Sequence, residues 1–151
     1  MSLTPPPRSV RNSNPGNLER TSDQWAGLAT RDEMTPAQQA ETRFCVFRSP
    51  MWGFRALAIV LRSKFARGLN TVRKIITDYA PPNENDTKAY IETVCTGMGV
   101  EPDRVLNLVS DSQQLIDICR AIATQEGTGW HFNPDDLRKA VEIVMHPPVI
   151  V

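Results

Sequence analysis

The sequence of 151 residues has no net charge, no long apolar run and few cysteines, and each of these absences excludes a class of protein. Its 17 Lys and Arg residues balance 17 Asp and Glu residues, which argues against binding to DNA or to an anionic bilayer through overall charge. The longest apolar run, residues 56–61, is far shorter than the roughly 20 residues of a transmembrane helix. We therefore expect no nucleic acid partner and no membrane insertion.

Cysteine and histidine are also sparse. Cys45, Cys95 and Cys119 are widely spaced among apolar neighbours, which predicts reduced core thiols without a disulfide framework or a CxxC metal site. His131 and His146 lack the short spacing of a metal-binding motif, so we expect no metal and no cofactor. No apolar segment follows the N-terminal arginines, and no signal peptide is predicted.

Local patterns predict one mainly α domain with a small β-rich lobe. Residues 1–9 contain three consecutive prolines and predict a flexible extension, whereas residues 10–147 predict the domain. Residues 10–48 are rich in turn-forming residues and include a β-prone segment, residues 42–47, so they predict the loops and the β-rich lobe. Helical spacing and capping residues then predict a helical lobe over residues 49–147. Its helices are expected at residues 49–68, 71–79, 87–98, 111–126 and 137–145, the last of these capped by Asn133.

Glu126 is the strongest candidate for chemistry. Leu115, Cys119, Ile122 and Glu126 recur at helical spacing, so the carboxyl group continues an apolar stripe, and Gly127 is expected as the left-handed C-cap of the helix. Burial and the negative helix end both favour a protonated carboxyl, as a general acid requires. The alternative from spacing alone is a glutamate that faces water at a fraying helix end.

Polar loops supply candidates for binding a sugar. Residues 14–17 form an Asn-Pro-Gly-Asn turn whose Asn14, Gly16 and Asn17 expose backbone groups, and Trp25 and Trp130 offer aromatic faces. In residues 79–90, Glu84 and Tyr90 are further binding candidates. The alternatives are an ordinary Asn-rich loop in the first segment and, in the second, prolines that stop one helix before a cap that starts the next.

Three segments together resemble a family of small phage and prophage proteins that are virion components or endolysin-like. The family carries an Arg-Asn-Asn-Asn-Pro-Gly-Asn-Ile-Arg motif, a Phe-x-x-Phe-x-Ser-Pro segment and an Ala-Pro-x-x-Glu-Asn-Asp-Thr segment, which correspond here to residues 11–20, 44–56 and 80–90. Ser13 and Glu19 depart from the motif. The resemblance implies a protein made in the host bacterial cytoplasm that acts at the cell wall or periplasm, or is carried in the virion with other virion proteins as partners.

The segment order is also similar to that of lysozyme-superfamily glucosaminidases, but permuted. Their catalytic Glu-x-Gly helix precedes the loop and hairpin segments, whereas here Glu126 and Gly127 follow them. The resemblance implies a circularly permuted lysozyme-like domain that cleaves β-1,4 bonds in peptidoglycan, with Glu126 as the general acid. Muramidase and glucosaminidase activity remain equally open.

A second carboxylate is expected from the β-rich lobe, with Asp32, Glu33 and Glu41 as candidates and Glu33 preferred. Without it, a lytic transglycosylase with the single acid Glu126 becomes the alternative. A non-catalytic virion, tail or cell-wall-binding protein is the alternative outside enzymology. A DNA-binding module using the basic residues 62–74 is disfavoured by the zero net charge.

Overall fold

The structure is a computed structural model that describes residues 4–147. This part of the chain is mainly α-helical, as predicted, with seven α-helices and one 3-10 helix at Arg31–Glu33. The helices are α1 (Arg8–Arg11), α2 (Pro36–Gln39), α3 (Pro50–Ala66), α4 (Val72–Tyr79), α5 (Thr87–Met98), α6 (Ser112–Glu126) and α7 (Pro134–Met145). Within residues 4–147, none of them combines the length and apolar character needed to cross a bilayer.

Helices α4 to α7 begin next to the capping residues from which their starts were predicted. The side chains of Thr71, Asp86, Asp111 and Asn133 each accept a hydrogen bond from a backbone amide in the first turn of α4, α5, α6 and α7. These bonds satisfy amides that have no partner within the helix. Capping residues that are recognisable in the sequence therefore mark the starts of these four helices.

The hydrophobic core lies between helices that pack in pairs. Helix α3 packs mainly against α7, α5 packs mainly against α6, and α6 also contacts α3 and α7. Fully buried side chains such as Phe54, Leu61, Leu115 and Ile122 fill the space between them. Cys45, Cys95 and Cys119 are buried and free, as predicted. Because α6 is packed on three sides, its C-terminal end is held firmly in the molecule.

The predicted β-rich lobe is not present. Pairing within residues 10–48 is limited to two isolated bridges, Glu19 with Phe44 and Leu28 with Phe47. The β-prone segment 42–47 runs between two irregular segments: Cys45 donates its amide to Leu18 on one side, and the amide of Ala29 donates to Val46 on the other. The prediction of a strand within a small sheet was therefore wrong.

Glu41 explains why this segment forms no ladder. Its buried carboxylate accepts hydrogen bonds from the backbone amides of Arg43 and Phe44, both in the predicted strand. Those donors are no longer available to a neighbouring strand. The same carboxylate binds Arg8 and Arg11, so an ion-pair centre takes the place of the expected sheet.

The Asn-rich loop lies directly on α3. At Gly53, in the first turn of α3, a Cβ atom would collide with the carbonyl oxygen of Ser13 and with the ring of Pro15. The loop backbone can approach the helix this closely because residue 53 has no side chain. This close approach fixes the position of residues 14–17 relative to α3.

Candidate active site

Two side chains from distant parts of the chain hold the carboxyl group of Glu126. The Asn17 Nδ2 atom donates to Oε1 at 2.8 Å, and the Tyr90 hydroxyl donates to Oε2 at 2.8 Å. Asn17 lies 109 positions before Glu126 in the sequence, and Tyr90 lies 36 positions before it. With one donor on each oxygen, the plane of the carboxyl group is fixed.

The end of α6 is shaped by a turn that differs from the prediction. Gly127 has φ −90°, so it is not the left-handed cap; Thr128 with φ 48° and Gly129 with φ 136° take that role. The Gly129 amide donates to the carbonyl of Thr124 at 2.8 Å and closes the helix end. Two consecutive left-handed residues turn the chain back towards the helix directly after Glu126.

An aromatic cluster supports this turn. Trp130 stacks on Phe54 with ring centroids 5.9 Å apart and meets the edge of Phe132 at 5.8 Å. The Arg120 guanidinium lies over the Trp130 ring, 4.7 Å from its centroid. Trp130 therefore joins α3 to the segment after α6, and such aromatic pairs add about 0.5–1.5 kcal/mol beyond the burial of their area.

The Asn-rich loop is held rigidly on the other side of Glu126. The buried Asn14 side chain accepts from the Leu18 amide and donates to the carbonyls of Leu18 and Cys45. The Tyr79 hydroxyl donates to the Gly16 carbonyl. Asn17 has φ 48°, a left-handed conformation that asparagine tolerates better than most residues. The loop thus presents the Asn17 amide to Glu126 in one defined position.

Glu126 and this loop form part of one cavity of about 370 Å³. Its walls come from the loop, from residues 43–44, from α3, from α4 with the turn after it, and from the end of α6. The lining residues are Gly16, Asn17, Leu18, Glu19, Arg43, Phe44, Val60, Lys64, Asp78, Tyr79, Ala80, Glu84, Asn85 and Glu126. Polar and charged groups dominate this list, which suits a hydroxyl-rich ligand.

Ion pairs neutralise part of the charge in the cavity. Arg43 binds Glu19 at 2.7 Å, and Lys64 binds Asp78. The hydrogen bond from Lys64 lowers the pKa of the Asp78 carboxyl below its usual value. Within residues 4–147, the two other acidic residues of the lining, Glu84 and Glu126, form no ion pair.

Both tyrosines near Glu126 remain neutral donors. Burial, followed by the charges of Tyr79 and Glu126, raises the pKa of the Tyr90 phenol. Burial, followed by the charge of Glu126, raises the pKa of the Tyr79 phenol well above its usual value. Neither hydroxyl loses its proton near neutral pH, so the contacts of Tyr90 with Glu126 and of Tyr79 with Gly16 keep their direction.

The structure brings some predicted binding residues to the cavity and leaves others elsewhere. Gly16, Asn17 and Glu84 line it, and Tyr90 holds Glu126 from behind. Asn14 donates both of its side-chain N–H groups to backbone carbonyls, so its side chain holds the loop in place. Trp25 and Trp130 are absent from the lining and pack against the core instead. What these residues do with a ligand stays a prediction.

The candidates for a second carboxylate lie outside this cavity. Glu33 caps its own 3-10 helix through the Thr30 amide and binds Arg48 at 2.8 Å. The Thr30 backbone hydrogen bond, then that of Arg48, lowers the pKa of Glu33 to about 2. Glu41 is buried in its ion-pair centre, and neither Asp32, Glu33 nor Glu41 is among the lining residues.

Sequence reasoning missed several residues of the cavity wall. Tyr79, Lys64 and Glu19 line it but were not among the candidates. A signal existed for Tyr79, because it opens the segment of residues 79–90 that supplied Glu84 and Tyr90 as binding candidates. Lys64 and Glu19 carried no local signal. No group of three His, Cys, Asp or Glu side chains able to hold a metal ion occurs among the described residues.

Fold and cavity together define a small, mainly α-helical protein in which one carboxyl group is held in a polar cavity. No family model matches the chain. Its sequence is 30% identical over 139 residues to Protein P5 of Pseudoalteromonas phage PM2, a match that covers 89% of this chain and 80% of that protein. The chain therefore belongs to the family of this phage protein. The predicted relationship to phage proteins is confirmed, while the name of the relative states no activity.

Proposed function

We propose that the protein cleaves β-1,4 glycosidic bonds in the glycan strands of peptidoglycan, with Glu126 as the general acid. The observation that carries this proposal is the pair of hydrogen bonds from Asn17 and Tyr90 to the two oxygens of a carboxyl group that lines a cavity. A general acid must be oriented towards the atom it protonates, and such fixed geometry is what a catalytic carboxyl requires.

The bonding of Glu126 leaves room for this chemistry. Each carboxyl oxygen has two lone pairs, and Asn17 and Tyr90 occupy one on each. The remaining positions can carry the proton that passes to the leaving oxygen when the bond to the anomeric carbon breaks. Polar groups around the cavity, including Arg43 and Lys64, suit the hydroxyl and acetamido groups of an amino sugar.

A circularly permuted lysozyme-like domain accounts for the order of the segments. In the resembling glucosaminidases the catalytic helix precedes the Asn-rich loop in sequence. Here the contact between Asn17 and Glu126 brings the corresponding segments together although their order is reversed. Kinship with a phage protein supports action at the bacterial cell wall, either as an endolysin or as part of a virion.

A lytic transglycosylase is the second candidate. One observation favours it: Asp32, Glu33 and Glu41, the carboxylates expected to assist hydrolysis, are not among the residues of the cavity wall. In a transglycosylase the substrate's own hydroxyl group replaces water, so a single acid suffices.

Incubation with purified peptidoglycan followed by mass spectrometry tests these assignments. A new reducing end on muramic acid or on glucosamine indicates hydrolysis, and anhydromuramic acid indicates transglycosylation. Glu92→Gln serves as a matched control for Glu126→Gln, because Glu92 is an exposed glutamate of α5 outside the cavity lining. Binding of glycan without any product after prolonged incubation would instead identify a non-catalytic cell-wall-binding protein.

A further inference from the structure

We propose that Glu84 is the second carboxylate of this reaction and that it takes the proton from the water molecule that attacks the sugar. This inference rests on the proposed function. It replaces the expectation that the second carboxylate comes from Asp32, Glu33 or Glu41, and it gives Glu84 a catalytic role in place of the binding role expected from sequence.

The charges of the cavity single out Glu84. Four acidic side chains line the wall, and two of them are paired, Glu19 with Arg43 and Asp78 with Lys64. A carboxylate held by a cation is a poor base, because the ion pair favours its charged form. Among the described residues, Glu84 and Glu126 are the two acidic groups of the wall without such a partner. Glu126 is held by Asn17 and Tyr90, so Glu84 is left for the second role.

Glu84 also stands at a defined place rather than on a loose loop. The Glu84 amide donates to the Pro81 carbonyl at 3.1 Å, and the Asn85 side chain donates to the same carbonyl at 3.2 Å. The Thr87 hydroxyl donates to the Ala80 carbonyl and joins the two ends of the turn. Because Pro81 and Pro82 restrict the backbone further, the turn between α4 and α5 holds the backbone of Glu84 in a narrow range of positions.

The surroundings of Glu84 suit a base that works on water. Its side chain is exposed, whereas Glu126 is partly buried at the end of α6, so water reaches Glu84 directly. Glu84 lines the same cavity as Arg43 and Phe44 of the N-terminal part of the chain. A cavity of about 370 Å³ leaves room for a water molecule beside a bound sugar ring.

The reaction then balances with two carboxyl groups. Water attacks the anomeric carbon and transfers one proton to Glu84, while the bond from that carbon to the leaving oxygen breaks and Glu126 supplies the proton to this oxygen. Attack from the face opposite the leaving group inverts the anomeric configuration. Proton exchange with solvent restores both carboxyl groups.

Glu84→Gln and Glu84→Ala test this inference on the full chain, with Glu126→Gln and Glu92→Gln measured beside them. We expect Glu84→Gln to lower turnover by about 10²–10⁴-fold with little change in KM, and Glu92→Gln to retain wild-type turnover. Azide should restore turnover in Glu84→Ala and yield a glycosyl azide of inverted configuration. Thermal unfolding checks that each variant is folded, as expected for an exposed position.

Each other outcome has a definite meaning. If Glu84→Gln keeps full turnover while Glu126→Gln is inactive, Glu84 is not the base and the proposed function stands. Anhydromuramic acid as the wild-type product, or a glycosyl azide of retained configuration, also overturns the role of Glu84. If the wild-type protein forms no product, the proposed function itself fails, and this inference fails with it.

Discussion

Asn17 and Glu126 are separated by 109 positions in the chain and joined by a 2.8 Å hydrogen bond from the amide nitrogen of one to the carboxyl group of the other. The bond connects the Asn-rich loop near the N-terminus with the end of α6. The Asn17 Oδ1 atom is buried without a partner among the described residues, so within this part of the chain the hydrogen bond to Glu126 is what orients the Asn17 amide. A change in the loop is therefore expected to act on the carboxyl group directly.

Replacing Asn17 separates the effect of this hydrogen bond from that of backbone strain. Asn17→Gly and Asn17→Ala both remove the donor and leave the carboxyl oxygen without this partner, which costs about 1–3 kcal/mol. We expect both variants to lose about 10- to 100-fold in turnover. Because φ is 48°, Asn17→Ala should also be less stable than Asn17→Gly by about 1 kcal/mol in urea unfolding. Equal stability of the two variants would contradict the left-handed conformation.

Tyr90→Phe removes the second donor and keeps the aromatic ring. Tyr90 is buried, so phenylalanine preserves the packing of α5 against α6 while leaving the Glu126 Oε2 atom without its partner. We expect turnover to fall about tenfold or more and stability to fall by about 1 kcal/mol. Turnover on peptidoglycan and thermal unfolding provide the two readings. A variant as active as the wild-type protein would show that Tyr90 does not position the acid.

Gly53→Ala should displace the Asn-rich loop, which lies directly on α3 at this position. A Cβ atom at this position would meet the carbonyl oxygen of Ser13 and the ring of Pro15, so the loop must move away from α3. We expect a loss of about 1–3 kcal/mol and a lower turnover, because Asn17 moves with the loop. Gly97→Ala in α5 is the matched control, with its Cβ 3.3 Å from that of Ala121 and an expected change of about 1 kcal/mol or less.

Acid should weaken the fold through Glu41. Burial raises the pKa of this carboxyl, but hydrogen bonds from Arg8, the backbone amides of Phe44 and Arg43, and Asn12 outweigh it and lower the pKa below its usual value. The stabilisation is then complete above the unfolded-state pKa of about 4.3 and is lost as the pH falls from there towards the folded-state value. Glu41→Gln should lower stability near neutral pH by about 3 kcal/mol and flatten this acid dependence.

Glu33→Gln is the control for that experiment. Glu33 also pairs with an arginine, Arg48, but both side chains are exposed and screened by solvent. We expect a much smaller loss of stability than for Glu41→Gln when urea unfolding is followed at several pH values. A larger loss for Glu33→Gln than for Glu41→Gln would contradict the view that Glu41 holds the N-terminal segments together.

Signals within a few residues predicted the helical part of the fold. Thr71, Asp86, Asp111 and Asn133 cap their helices through amides two or three positions away, so sequence alone located them. The stripe of Leu115, Cys119 and Ile122 is buried for the same reason, since helical spacing is local. Glu126 follows from that stripe, and its candidacy needed no tertiary information.

The parts that sequence missed depend on contacts between distant segments. Glu41 accepts hydrogen bonds from the amides of a β-prone segment, and Arg8 and Arg11, which are distant in sequence, neutralise its charge in the fold. Trp130 was expected beside the sugar, but its ring stacks on that of Phe54, which belongs to a helix far away in sequence. Lys64 of α3 reaches the cavity where it pairs with Asp78 of α4, and no local pattern predicts that these two helices meet there.

Turnover of Glu126→Gln on purified peptidoglycan tests the central claim most directly. Glutamine keeps the size of the side chain and an acceptor for Tyr90, and its NH2 group can donate to the Asn17 Oδ1 atom once the Asn17 amide turns over, but it cannot supply a proton. The fold should therefore persist, with thermal unfolding close to that of the wild-type protein. We predict that the wild-type protein and Glu92→Gln release glycan fragments and that Glu126→Gln is at least about 10²–10⁴-fold slower. Fragment release by a folded Glu126→Gln variant at the wild-type rate would contradict the account.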